Sequence, residues 1–207
     1  MAKFPEPPPA PELATILPEW KELPRGTVLW RVYFRGGRHP TFWNTFRAFG
    51  PVSGRFDHQV PPPAVQARWI LYAAERGPAC VAEVFQDTRV IDRTARDPWL
   101  SGFALDKPVR LLDLTGPWPT RAGASLAIAS GPRPRAQRWS RAIYEAYPDA
   151  HGVYYGSSMY GGSVCMALYE RAAPALPPYP VFHRPLSDPA LLTALKQVAR
   201  EIGYGLV

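Results

Sequence analysis

Apolar positions along this chain fall mostly in short runs bounded by Gly and Pro, and few stretches keep a helical spacing. Leu191, Leu192, Leu195, Val198 and Ile202 recur at three- and four-residue intervals, which lines them up on one helix face. Asp188 offers an N-cap, Pro189 suits the first helical position and Gly203 supplies the stop, so a helix is predicted over 189–202. Arg135 to Tyr147 likewise places Trp139, Ile143 and Ala146 or Tyr147 on one face, with Pro148 as its terminator. Pro78 opens a shorter helix that runs to about Gln86.

Strand patterns are more numerous. Thr27 to Phe34 is apolar and β-branched at most positions, and Trp69 to Ala73 reads as a short buried strand. Arg89 to Asp92 and Val109 to Leu114 follow, the second alternating so poorly that both its faces are expected to be buried. Gly152 to Gly156 and Val164 to Tyr169 flank a Gly/Ser turn. Strands outnumber helices and do not alternate with them regularly, which predicts an α+β domain with a mostly antiparallel sheet. Residues 36–60 read as one long irregular loop, a feature that usually carries function. Residues 1–24 hold seven prolines and read as an extended Pro-rich arm with a helical turn around Leu13 to Leu17. The arm is expected to pack loosely or to bind a partner, and residues 25–207 to form one domain.

Composition narrows the classes. The chain has 26 prolines and 16 glycines in 207 residues, about one fifth, against roughly 12% in ordinary chains, which excludes coiled coils and helical bundles. Aromatic residues at 13% are too frequent for a disordered chain. No run approaches the roughly 20 apolar residues of a membrane span, and the N-terminus lacks an apolar signal core, so a cytoplasmic, membrane-free protein is expected. Cys80 and Cys165 are expected to be free and buried. His39, His58, His151 and His183 are scattered, expected on the surface or in loops, and no metal site is predicted. The net charge of +7 is carried mainly by Arg, which fits anionic partners, simple solubility or a base-composition bias.

Several chemistries are missing. Gly156 to Ser163 imitates the glycine spacing of a P-loop, but Gly162 stands where the phosphate-gripping Lys belongs. Neither a dinucleotide fingerprint nor a nucleophile elbow is present. What remains is a set of polar side chains in apolar company. Glu83 lies within Ala79–Phe85 and either faces a cleft, points to solvent or pairs with an Arg. Arg31, inside the first strand, and Arg55, beside Gly54, each require an anion, whether a protein carboxylate or a ligand phosphate. Tyr72 is a core ring or a stacking surface, and Ser157 a turn hydroxyl or a ligand contact.

Taken in order, these segments resemble the RES domain, named for its Arg, Glu and Ser. The resemblance rests on Leu29–Val32, Gly54–Asp57, Leu71–Glu75 with Ala82–Val84, and Gly152–Ser157 with Ala167–Tyr169. It covers about residues 25–170 and leaves a C-terminal extension carrying the helix over 189–202. It implies an ADP-ribosyltransferase-like fold and a toxin that cleaves the nicotinamide–ribose bond of NAD+, with water, phosphate or a protein side chain as acceptor. It places the active-site Arg, Tyr, Glu and Ser on Arg55, Tyr72, Glu83 and Ser157, with Arg31 as a further NAD+ contact. NAD+ is then substrate rather than prosthetic group, and the expected partner is an Xre-like antitoxin that occludes the cleft and provides any contact with DNA. Phe56–Asp57 stands where the family usually has Trp-Asn, Met159 where an Arg often follows the Ser, and Tyr169 where Phe is usual. These departures bear on acceptor choice, and the alternative activity is mono-ADP-ribosylation of a protein target. A non-enzymatic nucleic-acid-binding module is the third reading, motivated by a pI near 9.6. No helix-turn-helix, paired aromatic motif or finger spacing supports it.

Overall fold

The computed structural model describes residues 3–207. In chain order the elements are α1 (Ala10–Leu13), β1 (Trp20–Leu23), β2 (Val28–Phe34), β3 (Arg47–Gly50), β4 (Ala64–Ala74), α2 (Gly77–Val84), β5 (Val90–Ile91) and β6 (Pro98–Ala104). There follow β7 (Val109–Asp113), α3 (Trp118–Arg121), α4 (Arg133–Ala146), β8 (Gly152–Gly156), β9 (Val164–Tyr169), β10 (Phe182–Pro185), α5 (Leu192–Ile202) and β11 (Gly205–Leu206). Nine strands form one sheet in the order β1-β7-β8-β9-β4-β2-β6-β10, with β3 paired to β4. All its pairs are antiparallel except β7 with β8, and β5 with β11 forms a separate parallel pair. This is the predicted α+β architecture.

Alternation along the strands builds two cores, because successive side chains of a strand point to opposite faces. Ile70, Ala74, Val153, Tyr155, Cys165, Ala167 and Tyr169 share one core with α2 and α4. Leu71, Ala73, Tyr154, Met166 and Leu168 belong to a second, with Trp43 and Phe103. On the first face, α4 buries Ala136, Trp139, Ala142 and Ile143 against the sheet. The sheet splits at one place. β2 and β4 meet only at Trp30 opposite Ala74, and beyond that point the Val32 N–H donates to Cys80 Sγ at 2.8 Å instead of to a strand. The opening between β2 and β4, covered by α2, is where a cavity lies.

The helices match their sequence signals closely. The Asp188 carboxylate accepts from Ala190 N at 2.8 Å, although the first turn, Pro189–Leu191, is 3-10 before α5 begins. Gly203 closes α5 in the left-handed conformation at φ 70°. β6 escapes sequence reading because it begins at Pro98 and carries Gly102, both poor strand signals. A side chain at position 102 would meet the ring of Trp30 at 3.1 Å, so glycine there makes room for that ring. β3 escapes because it sits inside the expected loop, and β4 starts at Ala64 rather than Trp69 because residues 64–68 are mostly exposed.

One expectation is corrected and another narrowed. The N-terminal arm does not pack loosely: Phe4 and Leu13 are buried, and β1 extends the sheet on β7. Trp139 Nε1 donates to Pro5 O at 3.0 Å, and the Tyr147 hydroxyl to Leu13 O at 2.8 Å, so the arm runs the length of α4. Prolines suit this path, since an extended chain on a helix needs few backbone N–H partners. His58 lies in a loop, one of the two placements expected, but it is not at the surface. Its ring is fully buried against Tyr144 and Tyr169, with Nε2 3.5 Å from Glu170, and burial holds its pKa below the ordinary value. Because Leu13 has no exposed surface, Leu13→Ala is expected to cost about 2–5 kcal/mol in chemical denaturation. An unchanged midpoint would show that the arm is not part of the folded unit.

Candidate functional site

The cavity in the sheet opening has a volume of about 400 Å³, and its wall includes Arg31, Arg55, Tyr72 and Glu83. Four separate stretches of chain therefore converge on one space. Period-two alternation puts Tyr72 of β4, Tyr155 of β8 and Cys165 of β9 on the α2 side of the sheet, and all three line the cavity. Cys80, from α2, lines it too, and burial pushes its thiol up to about 12, which makes it an inert wall rather than a nucleophile.

The guanidinium groups are held by carbonyls. Arg31 Nη1 donates to Trp43 O at 3.1 Å and Thr45 O at 2.9 Å, and Arg55 Nη1 donates to Gly131 O. Among the described residues neither forms an ion pair with a carboxylate. Burial lowers the pKa of both, that of Arg31 to about 10, and both stay protonated at neutral pH. The carbonyls fix the orientation of these groups without neutralising them, which leaves positive charge directed at the cavity.

Glu83 is the acidic counterpart. It sits on the last turn of α2, whose Ala79, Cys80, Val81 and Ala82 are buried. The Ser157 hydroxyl donates to Glu83 Oε1 at 2.6 Å and the Ser158 N–H donates to the same oxygen at 2.9 Å. Ser157 Oγ in turn accepts from Met159 N at 3.2 Å and Tyr160 N at 3.0 Å, which fixes the turn after β8. Glu83 Oε2 has no protein partner among the described residues and is available to a ligand.

Tyr72 is fixed at its hydroxyl, which donates to Asp57 Oδ1 at 2.8 Å and accepts from Phe56 N at 3.0 Å. Burial raises its pKa well above the ordinary tyrosine value. With the hydroxyl engaged by Phe56 and Asp57, the ring is the part of Tyr72 left to line the cavity. Asp57 is fully buried, and it also accepts from Val52 N at 2.8 Å and from Arg47 at 2.5 Å.

The RES domain model matches residues 28–188. The chain belongs to the RES domain family. A solved structure similar to it is the M. tuberculosis MbcT-MbcA toxin-antitoxin complex, at 17% sequence identity and a TM-score of 0.56 over 85% of this chain and 92% of that one. That likeness supports the ADP-ribosyltransferase-like fold implied by the resemblance. No curated protein matches the chain.

The RES domain thus gathers all five sequence-predicted residues, four on the cavity wall and Ser157 immediately behind Glu83. Of the two readings of Ser157, the structure shows the turn hydroxyl, which accepts from Met159 N and Tyr160 N while its proton is directed at the Glu83 carboxylate. Sequence reading missed Arg47, Asp57, Gln86 and Arg133. Arg47 carries the same signal as Arg31, an arginine among aromatic residues, in Phe46–Phe49. Asp57 gave a weaker one as an acid two residues from Arg55. Asp57→Ala would leave Arg47, the Tyr72 hydroxyl and Val52 N without their acceptor, and is expected to destabilise the protein by roughly 3 kcal/mol or more. Differential scanning calorimetry checks this, and an unchanged melting temperature would refute the network.

Proposed function

We propose that this RES-domain protein is a toxin that cleaves the nicotinamide–ribose bond of NAD+ and is silenced by an antitoxin occupying the same cleft. One observation carries the reading: a carboxylate with one oxygen anchored and the other free lines the same cavity as two arginines that lack carboxylate partners. A dinucleotide supplies what each side needs, a pyrophosphate for the guanidinium groups and a ribose that becomes cationic for the carboxylate.

Breaking the bond between ribose C1 and nicotinamide passes through an oxocarbenium-like state. The electron pair leaves with nicotinamide, which departs neutral, and positive charge develops on the ribose. The free oxygen of Glu83 stabilises that charge, the more strongly as bound substrate displaces water from the cavity. Water then adds to C1, and Glu83 accepts its proton before release to solvent. Arg31 and Arg55 bind the pyrophosphate through charge-assisted hydrogen bonds of about 1.5–3 kcal/mol each. The Tyr72 ring offers a stacking surface for the flat nicotinamide. The toxin character is supported by family membership and by the likeness to a toxin of a toxin–antitoxin complex.

Purified protein incubated with NAD+ is expected to release nicotinamide, read by chromatography. Glu83→Gln keeps the size of the side chain and is expected to slow release by about 100-fold or more with an unchanged melting temperature. Full activity in that variant would refute the role of Glu83. Label transferred from NAD+ to a protein acceptor, in place of free ADP-ribose, would instead assign the protein as an ADP-ribosyltransferase.

A further inference from the structure

Arg133, the first residue of α4, also lines the cavity, and neither the RES resemblance nor the sequence pattern marks it. Its guanidinium is tied to the end of α2 through Gln86. Gln86, three residues further along the chain, donates from Nε2 to the backbone carbonyl of Glu83 at 2.7 Å and accepts at Oε1 from Arg133 Nη2 at 3.1 Å. One carboxamide therefore links the backbone at Glu83 to this guanidinium. On its other side, the turn leading into α4 presents Gly131 O to Arg55. The segment that orients Arg55 through Gly131 O thus also begins α4 with Arg133, and both side chains line the cavity.

Little compensates this pair. The carboxylate nearest Arg133 is Asp87 at 3.9 Å, whose side chain is 83% exposed and so contributes little. Arg133 itself is 37% exposed, at the solvent end of the cavity. Met159 packs against the core and is absent from the wall. Two guanidinium groups on one cavity wall, each oriented by a neutral group, match the charge and donor pattern that a pyrophosphate requires.

We propose that Arg133, oriented by Gln86, is a substrate-positioning residue that binds the pyrophosphate of the dinucleotide together with Arg55. This rests on the NAD+ reading above and adds to it a residue outside the expected set. It acts on binding more than on bond-breaking, because the phosphates do not change charge during cleavage.

The test has two arms. In the first, inorganic pyrophosphate is titrated calorimetrically into the wild-type protein and Arg133→Ala. The variant is expected to bind at least about tenfold more weakly, Arg133→Lys to recover part of the loss as a point charge, and Gln86→Ala to show a smaller loss. In the second, Arg133→Ala is expected to raise KM for NAD+ by about tenfold with a smaller change in kcat, the reverse of Glu83→Gln. Equal pyrophosphate affinity in wild type and Arg133→Ala, or no binding to the wild type, overturns the proposal. So does a KM that does not move. If pyrophosphate binding depends on Arg133 while NAD+ is not cleaved, the activity reading falls and the anion site stands.

Discussion

The buried carboxylate of Asp57 is the constraint on which the cavity wall depends. An ionised carboxylate with no exposed surface is tolerable only when a counter-charge and hydrogen bonds replace its lost water. Here β3 supplies Arg47, the following loop supplies the Val52 N–H, and β4 supplies the Tyr72 hydroxyl. Three segments are tied to one side chain, so the loop closes over the sheet opening and carries Arg55 to the cavity. The same crowding explains Gly54. A Cβ there would lie 2.2 Å from Asp57 Oδ1 and 2.6 Å from the Tyr72 hydroxyl, so this glycine answers to close approach rather than to an unusual turn.

Around that wall the electrostatics are left unbalanced. Arg31 and Arg55 are oriented by backbone carbonyls, which satisfy hydrogen bonds without cancelling charge. Protein ion pairs would have consumed the same groups. Glu83 is treated in the opposite way, with one oxygen saturated by Ser157 and Ser158 and the other left open. Positive groups and a single free carboxylate oxygen therefore coexist in one cavity without forming an ion pair, the arrangement that electrostatic preorganisation requires.

The arm outside the family-matched span 28–188 contributes to this arrangement from behind. Phe4 packs so tightly on Gly131 that a Cβ at 131 would stand 2.9 Å from its ring. Arg138 holds Glu6 by two 2.7 Å bonds, and Trp139 holds the Pro5 carbonyl. The turn that orients Arg55 and leads into Arg133 is thus buttressed by residues 4–6, and an arm expected to pack loosely or to bind a partner is structural support for the site.

The sequence alone determined what depends on neighbours in the chain: the faces of α4 and α5, the caps at Asp188 and Gly203, the apolar strands, and the oddity of Glu83 within buried α2. These are legible because periodicity and capping act over a few residues. Tertiary structure decided everything that depends on distant partners. Arg55 meets a carbonyl 76 residues away, and Ser157 meets Glu83 across 74. Whether an isolated arginine faces a protein carboxylate or an open cavity is a property of what packs beside it, and Arg133 looked like any other basic residue at a helix start. β6 and the arm were hidden for the same reason: their Pro and Gly are poor local signals, and only pairing with β2 and packing along α4 override them.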